Sequence, residues 1–267
     1  MDDLLENIIR ALDKLRARSP LVHCLTNEVV KQFTANVLLA VGAAPAMVEH
    51  SEEAAEFAAV ADALLVNLGT LSEVQIQSIL SAVPEAVNAG KPWVLDPVAV
   101  GAIGLRTRFA YELLEKRPTI IRGNASEILA LAGRTGKGRG VDSLSESADA
   151  IEAAQLLATD TGSIVFITGA TDYIVTNSSA VAIRNGDPML TRITGAGCAL
   201  GALTAAFASV CDFPVVAATA ASLMFSVAGE LAAAESRGPG TFAVRLLDQL
   251  YSLDGETLAK RGNISTL

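Results

Sequence analysis

The sequence predicts an α/β fold: a central, mostly parallel sheet flanked by helices, with an antiparallel meander in its C-terminal half. Short apolar runs alternate with helical stretches through the first half of the 267-residue chain, which is the signature of consecutive βαβ units. Hydrophobic residues make up 51% of the chain and aromatics only 4%. Ala, Val, Leu and Gly dominate, a mix suited to helices packed closely on a buried parallel sheet. Beyond residue 163, three further apolar runs lie close together with only turn residues between them, so they read as a meander added to one sheet edge.

The elements follow in order. Leu4, Leu5, Ile8, Ile9, Leu12 and Leu15 recur at helical spacing, and Ser19-Pro20 ends that helix. Residues 21–25 form a strand, 28–41 a helix, 46–48 a second strand and 51–59 a helix. Residues 63–66 are a strand, and 72–89 a helix closed by Gly90. Residues 93–95 are a strand entering Asp96-Pro97, 106–116 a helix, and 119–121 a strand entering Arg122-Gly123-Asn124. The meander takes 164–168, 173–176 and 180–184. Long Ala-rich helices follow, and Pro239, near Thr241, starts a last helix to about Leu253. No linker-like stretch or internal repeat divides residues 1–267, so one domain is expected.

Composition excludes several classes of function. The net charge is −9 with no basic cluster, which argues against broad binding to nucleic acid or anionic membrane. Cys24, Cys198 and Cys211 are the three cysteines, too sparse and odd in number for a disulfide framework and suited to a reducing cytosol. The acidic start, Met1-Asp2-Asp3-Leu4-Leu5-Glu6, is unlike a signal peptide, so a cytoplasmic location is expected. Residues 193–211 and 213–229 carry no charge and approach membrane-spanning length. They are mainly Ala, Gly, Ser and Thr and lack an intervening loop, so they read as two buried helices.

Ligands of open α/β sheets bind beyond the carboxyl ends of the strands, and three segments stand at such places. Thr194-Gly195-Ala196-Gly197-Cys198 opens a long helix. Its glycines allow close backbone approach, and the helix N-terminus offers unpaired N–H groups to a phosphate in flight. Cys198, in the first turn, is placed where a thiol pKa tends to fall and could accept a hydroxyl proton. Asp96, in Val94-Leu95-Asp96-Pro97-Val98, could hold Mg²⁺ through water. In Arg122-Gly123-Asn124-Ala125-Ser126-Glu127, Glu127 could be a second metal carboxylate and Arg122 a phosphate clamp. Each segment also has a structural reading: a glycine turn before a buried helix, an Asp-Pro breaker, and a capping box with Asn124 at the N-cap and Glu127 at N3. Gly133-Arg134-Thr135-Gly136-Lys137-Gly138-Arg139-Gly140 imitates a phosphate loop, but no Ser or Thr follows its Lys and no strand precedes it. The two histidines are too few for a His-rich metal site: His23 reads as a strand residue lining a cleft or an interface, and His50 as a surface residue before a helix.

The order Asp-Pro-Val, then Asn-x-x-Glu, then Gly-Ala-Gly-Cys before a helix resembles ribokinase-like small-molecule kinases. Further blocks narrow the resemblance to the hydroxyethylthiazole kinase family: Pro20-Leu21-Val22-His23-Cys24-Leu25-Thr26-Asn27, Ala44-Pro45-Ala46-Met47, Val66-Asn67-Leu68-Gly69-Thr70 and Leu95-Asp96-Pro97-Val98-Ala99-Val100-Gly101. It runs from about Leu4 to the last helix. The resemblance implies a ribokinase-like fold without a lid domain, and ATP-dependent phosphorylation of 4-methyl-5-(2-hydroxyethyl)thiazole in thiamine salvage. It also implies a homotrimer with active sites between subunits. Met47, Asn27 and Gly195 would border the thiazole alcohol, Arg122 and Thr168 would bind ATP, Asp96 and Glu127 would organise Mg²⁺, and Gly195, Ala196 and Gly197 would form the anion hole. Sugar kinases of the fold usually carry Asp where Cys198 stands, so Cys198 is expected to be a modest base beside a more important helix N-terminus. Three alternatives share some of these features: a kinase for hydroxymethylpyrimidine or a related alcohol, an ATP-dependent NAD(P)H-hydrate dehydratase, and a non-catalytic thiazole-binding protein. The blocks around Asn27 and Met47 fit the first poorly, no block for a dinucleotide-sized pocket supports the second, and the metal carboxylates with the anion hole argue against the third.

Overall fold

In the computed structural model, which describes residues 2–133 and 143–267, the expected alternation occupies the first half. It comprises α1 (Asp2–Arg18), β1 (Leu21–Leu25), α2 (Lys31–Val41), β2 (Ala44–Ala46), α3 (Ser51–Val60), β3 (Ala63–Asn67), α4 (Glu73–Asn88), β4 (Trp93–Asp96), α5 (Gly104–Leu114), β5 (Ile120–Asn124) and α6 (Ala125–Leu131). There follow α7 (Ser143–Thr161), β6 (Ile164–Thr168), β7 (Asp172–Val175), β8 (Ala180–Ile183), a 3-10 turn (Pro188–Arg192), α8 (Ala196–Ala208), α9 (Pro214–Ala234), α10 (Pro239–Ser252), α11 (Gly255–Arg261) and β9 (Ile264–Thr266). The described strands form one sheet in the order β2-β1-β3-β4-β5-β6-β7-β8-β9. Strands β1 to β6 are parallel, and β7, β8 and β9 continue the sheet antiparallel.

The parallel strands are apolar throughout because both faces are covered. Successive side chains alternate between faces: Cys24, Leu65, Val94, Ile120 and Phe166 join α1, α2 and α8–α11 in one core layer. Leu64, Val66, Leu95, Ile121 and Val165 join α3–α7 in the other. Helix α9 is long and apolar enough to cross a membrane by length and composition, yet most of it lies inside the protein. Together with α8 it forms the pair of buried helices expected from sequence.

Several boundaries differ from expectation, each for a local reason. Helix α2 starts at Lys31, because residues 28–30 form a turn in which the Glu28 N–H donates to Thr70 Oγ1 at 3.1 Å and the Val30 N–H to the Asn27 carbonyl at 3.2 Å. Strand β2 lies two residues earlier than predicted: Ala44 to Ala46 pair with β1, while the Val48 carbonyl meets His23 Nε2 at 2.8 Å instead. Pro45 is tolerated in β2 because that strand is an edge. Helix α10 is followed by α11 and the short β9, neither of which the sequence reading includes. The imitation phosphate loop at 134–140 lies outside the described residues.

Candidate active site

The sheet register builds the site. Asn67 pairs with Asp96 across β3 and β4, and Asn124 with Thr168 across β5 and β6. With a two-residue period, Asn67, Asp96, Arg122 and Thr168 share the face of Leu65, Val94, Ile120 and Phe166, the face that α8 covers. The N-terminus of α8 therefore comes down onto the carboxyl edge of the sheet. Between them lies a cleft of about 800 Å³, lined by Asp96, Arg122, Glu127, Thr168 and Gly195 through Cys198, with Leu190, Ile193, Leu200 and Phe225 among its apolar lining.

Gly195 is the N-cap of α8 at φ 90°, a conformation that favours glycine. A Cβ there would also lie 2.7 Å from Val30 Cγ1. The cap has no side chain to satisfy the first amides of α8, so they remain available to an anion. At Gly197 a Cβ would lie 2.9 Å from Arg122 Nη2; the glycine lets the guanidinium approach the turn. Gly201, one helical turn on, gives room to Leu65 and Asp96, a contact not anticipated from sequence.

Arg122 donates from Nη2 to Thr168 Oγ1 at 3.1 Å, and its Nη1 stands 3.5 Å from Asp96 Oδ1. The expected nucleotide-binding pair and the first carboxylate are thus brought together. Asp96 is fully buried. Its Oδ2 accepts from Asn67 Nδ2 at 2.7 Å, whereas its Oδ1 has no hydrogen-bond partner. Burial pushes this carboxyl up to about 6, with the Arg122 charge opposing and the Glu127 charge adding.

Glu127 fulfils its structural reading while also lining the cleft. Its Oε2 accepts from the Asn124 N–H at 2.9 Å, and Asn124 Oδ1 accepts from the Glu127 N–H at 3.0 Å, which completes the capping box. Its Oε1 accepts from the Ala99 N–H at 2.9 Å. Ala99 sits at φ 63°, so Glu127 also holds a disfavoured backbone turn just beyond Asp96.

Cys198 requires a correction. The helix N-terminus leads one to expect a lowered thiol pKa, but here it is raised. Burial is the largest cause and the Asp96 charge adds to it, while the Asn67 and Asn27 amides and Arg122 only partly oppose. The rule drawn from sequence applies to thiols in electropositive, partly exposed surroundings, and this one is half-buried beside a carboxylate. Asn27 does reach the site, donating from Nδ2 to Cys198 Sγ at 3.3 Å, but it is buried and is not among the residues that line the cleft. Met47 is half-buried just after edge strand β2 and does not line this cleft. His23 is corrected too: it is buried in the protein, edge-on to Phe57 with ring centroids 5.2 Å apart, and burial lowers its pKa. His50 is exposed just before α3, as expected.

Asp172 also lines the cleft and has no counterpart in the sequence reading. It accepts from the Gly169 N–H at 3.0 Å and from Ser222 Oγ at 2.7 Å, which ties the β6–β7 turn beside Thr168 to α9. Burial raises its pKa from the ordinary carboxylate value, with the Ser222 and Gly169 hydrogen bonds and the Arg122 charge opposing. The folded protein then binds a proton that the unfolded chain, with a carboxyl near ~3.9, has already released. Stability from this group is full below about pH 4 and is lost as pH rises through the folded value. Asp172→Asn keeps the shape and removes that dependence. Relative to wild type, the variant is expected to gain stability as pH rises from about 4 through the folded value. Denaturant midpoints across that range check this, and a pH-independent difference contradicts it.

A model described as the hydroxyethylthiazole kinase family matches residues 12–256. A hydroxyethylthiazole kinase of Cronobacter sakazakii is 54% identical over 239 residues, covering 90% of each chain. One from Tolumonas auensis is 51% identical over 251 residues, covering 93% of this chain and 94% of its own. The solved structure of a hydroxyethylthiazole kinase from Pyrococcus horikoshii superposes with a TM-score of 0.90 at 38% identity, covering 97% of this chain and 98% of its own. A ribokinase-like protein from Enterococcus faecalis, 12% identical with a TM-score of 0.65 over 90% of this chain and 89% of its own, shares the fold.

Proposed function

The chain belongs to the hydroxyethylthiazole kinase family, and on that premise we propose that its cleft carries the terminal phosphoryl group of ATP to the hydroxyl of 4-methyl-5-(2-hydroxyethyl)thiazole. The observation that carries this reading is the uncapped N-terminus of α8, brought beside Arg122 within β5 and Asp96 at the end of β4. Amides, a cation and a carboxylate on one cleft wall are what phosphoryl transfer needs, since it depends mainly on positioning and charge stabilisation. Arg122 and Thr168 bind the phosphates of ATP, and the first amides of α8, from Gly195 through Gly197, receive the charge that develops on the group in transfer.

The residues fit a magnesium ion. Asp96 Oδ1 is buried without a hydrogen-bond partner, and the Glu127 carboxylate is close enough to raise the Asp96 pKa. Among the described residues no three His, Cys, Asp or Glu side chains converge to cage a metal. An ion organised by Asp96 and Glu127 would therefore keep waters and take phosphate oxygens, the usual coordination of Mg²⁺. It would neutralise phosphate charge in a cleft whose lining includes Asp96, Glu127, Asp172 and Asp187.

Asn27, Met47 and Gly195 border the thiazole in this proposal, with the Met47 thioether suited to a sulfur-containing aromatic ring. A homotrimer with its sites between subunits is proposed as well. Val29, Leu39 and Val60 expose apolar side chains on the segments before and after edge strand β2, the part of the chain that holds Met47. The free cysteines support a cytoplasmic location, and residues 1–267 act as one domain.

Cys198 is a modest base here, because burial and the Asp96 charge raise its thiol pKa and so disfavour the thiolate. Cys198→Ala is expected to lower kcat by no more than about tenfold, below the ~10²–10⁴ range of a full general base. A loss beyond about a hundredfold would make the thiol a principal base. The function itself is tested by incubating the protein with MgATP and, separately, the thiazole alcohol, hydroxymethylpyrimidine and hydrated NADPH. ADP is expected with the thiazole alcohol, and none with that acceptor would sink the proposal.

A further inference from the structure

Asn67 touches both halves of the site. It ends β3 and is about 1% exposed. Its Oδ1 accepts from the Gly69 N–H at 2.9 Å and from Asn27 Nδ2 at 3.0 Å. Its Nδ2 donates to Asp96 Oδ2 at 2.7 Å. The same Asn27 Nδ2 donates to Cys198 Sγ at 3.3 Å. The amide orientation is unambiguous, because two donors face one end and a carboxylate the other. Gly69 belongs to the arrangement: a Cβ there would lie 2.8 Å from Asn27 Nδ2, so only glycine lets the Asn27 side chain settle against Asn67.

We propose that Asn67 is a positioning residue for phosphoryl transfer, which sets Asp96 and, through Asn27, Cys198 at one fixed separation. Holding Oδ2 of Asp96 fixes the carboxylate plane and directs Oδ1 toward Arg122 and the cleft. Holding Asn27 fixes the donor that faces the sulfur at the start of α8. Phosphate-side and acceptor-side groups are thereby spaced by one buried amide rather than by two independent rotamers. In the low dielectric of the interior these hydrogen bonds strengthen and couple the positions of the groups they join, and misplacement of about 1 Å in an active site can cost about a hundredfold in rate.

This inference rests on the kinase reading above and is tested beside it. Wild-type protein, Asn67→Ala and Asn67→Asp are assayed with MgATP and the thiazole alcohol, with Tm measured for each. The alanine substitution deletes all three hydrogen bonds. The aspartate substitution keeps the shape and the acceptor side, and turns the donor to Asp96 into a second carboxyl that repels it or shares its proton, which makes it the informative one should Asn67→Ala unfold. Expected is a fall in kcat of about a hundredfold or more in folded protein, with both KM values within about threefold of wild type, the pattern of an interaction used in the transition state. Unchanged kcat, a rise in KM alone, or loss of activity only in step with loss of fold in both variants would overturn the positioning role. A wild-type protein that does not phosphorylate the thiazole alcohol would instead overturn the kinase reading.

Discussion

Gly195→Ala is expected to lower kcat by about 10²–10³, the loss seen when one preorganised donor to a developing anion is removed or misplaced. It is also expected to destabilise the fold by about 2–4 kcal/mol, from an unfavourable left-handed residue and an overpacked contact. Both follow from the same atoms. At φ 90° an L side chain is strained, and its Cβ would lie 2.7 Å from Val30 Cγ1 and 3.0 Å from Val30 Cβ. The turn can accept the methyl group only by lifting the start of α8 away from Val30, which moves the amides that face the cleft. Gly90→Ala separates the two effects: Gly90 has φ +66° with no neighbour within 4 Å of an added Cβ. It is expected to cost about 1 kcal/mol from backbone strain and to leave kcat unchanged. Urea midpoints and initial rates for both variants decide the matter, and a wild-type kcat in the Gly195→Ala protein would remove the anion hole from the mechanism.

Asp96→Asn is expected to abolish nearly all activity, by about 10³-fold or more in kcat, with a small change in stability. A neutral amide neither organises a divalent cation as a carboxylate does nor balances Arg122. The stability effects oppose each other. The substitution relieves the burial that pushes this carboxyl up to about 6, but it removes the charge that faces Arg122 at 3.5 Å, and breaking a buried pair is costly. A Tm within a few degrees of wild type, joined to a collapse in kcat, would mark Asp96 as placed for chemistry rather than for folding. Retention of kcat within about tenfold would contradict its role, and a large drop in Tm would make the residue structural.

The predictable parts of this protein are those where one physical pattern acts alone. Strands buried on both faces leave uninterrupted apolar runs, so β3, β4 and β6 stand out in the sequence. Helix α7 has no such clarity: its buried positions include Ala150, Ala153, Ala154 and Ala158, and alanine carries little periodic signal. Strand β9 is three residues long and gains its place only from β8. In the site, Gly195 and Asp96 were legible because one begins a helix and the other ends a strand where ligands bind, while Arg122 lies within β5, which runs on past the predicted end to Asn124.

Other site features depend on neighbours distant in sequence. A lone Asn at a strand end looks like the start of a turn, so Asn67 acquires its meaning only when Asp96 and Asn27 are seen at its two ends. Asp172 is likewise inconspicuous until Ser222, fifty residues later, is found against it. The direction of the Cys198 shift depends on burial and on Asp96, neither of which the local sequence displays, and local reasoning therefore has the wrong sign. Glu127 shows that two readings of one motif need not exclude each other: the capping box forms, and the same carboxylate lines the cleft.

In the proposed function, the cleft beneath α8 passes phosphate from ATP to the thiazole hydroxyl. The most direct measurement follows label from the terminal phosphate of ATP in a single turnover of wild-type and Gly195→Ala protein. The label is expected in the phosphate ester of the thiazole alcohol, at one equivalent per ADP formed, with the rate about 10²–10³ lower in the variant. Label released as inorganic phosphate with the alcohol unchanged, or transfer at the same rate in both proteins, would contradict it.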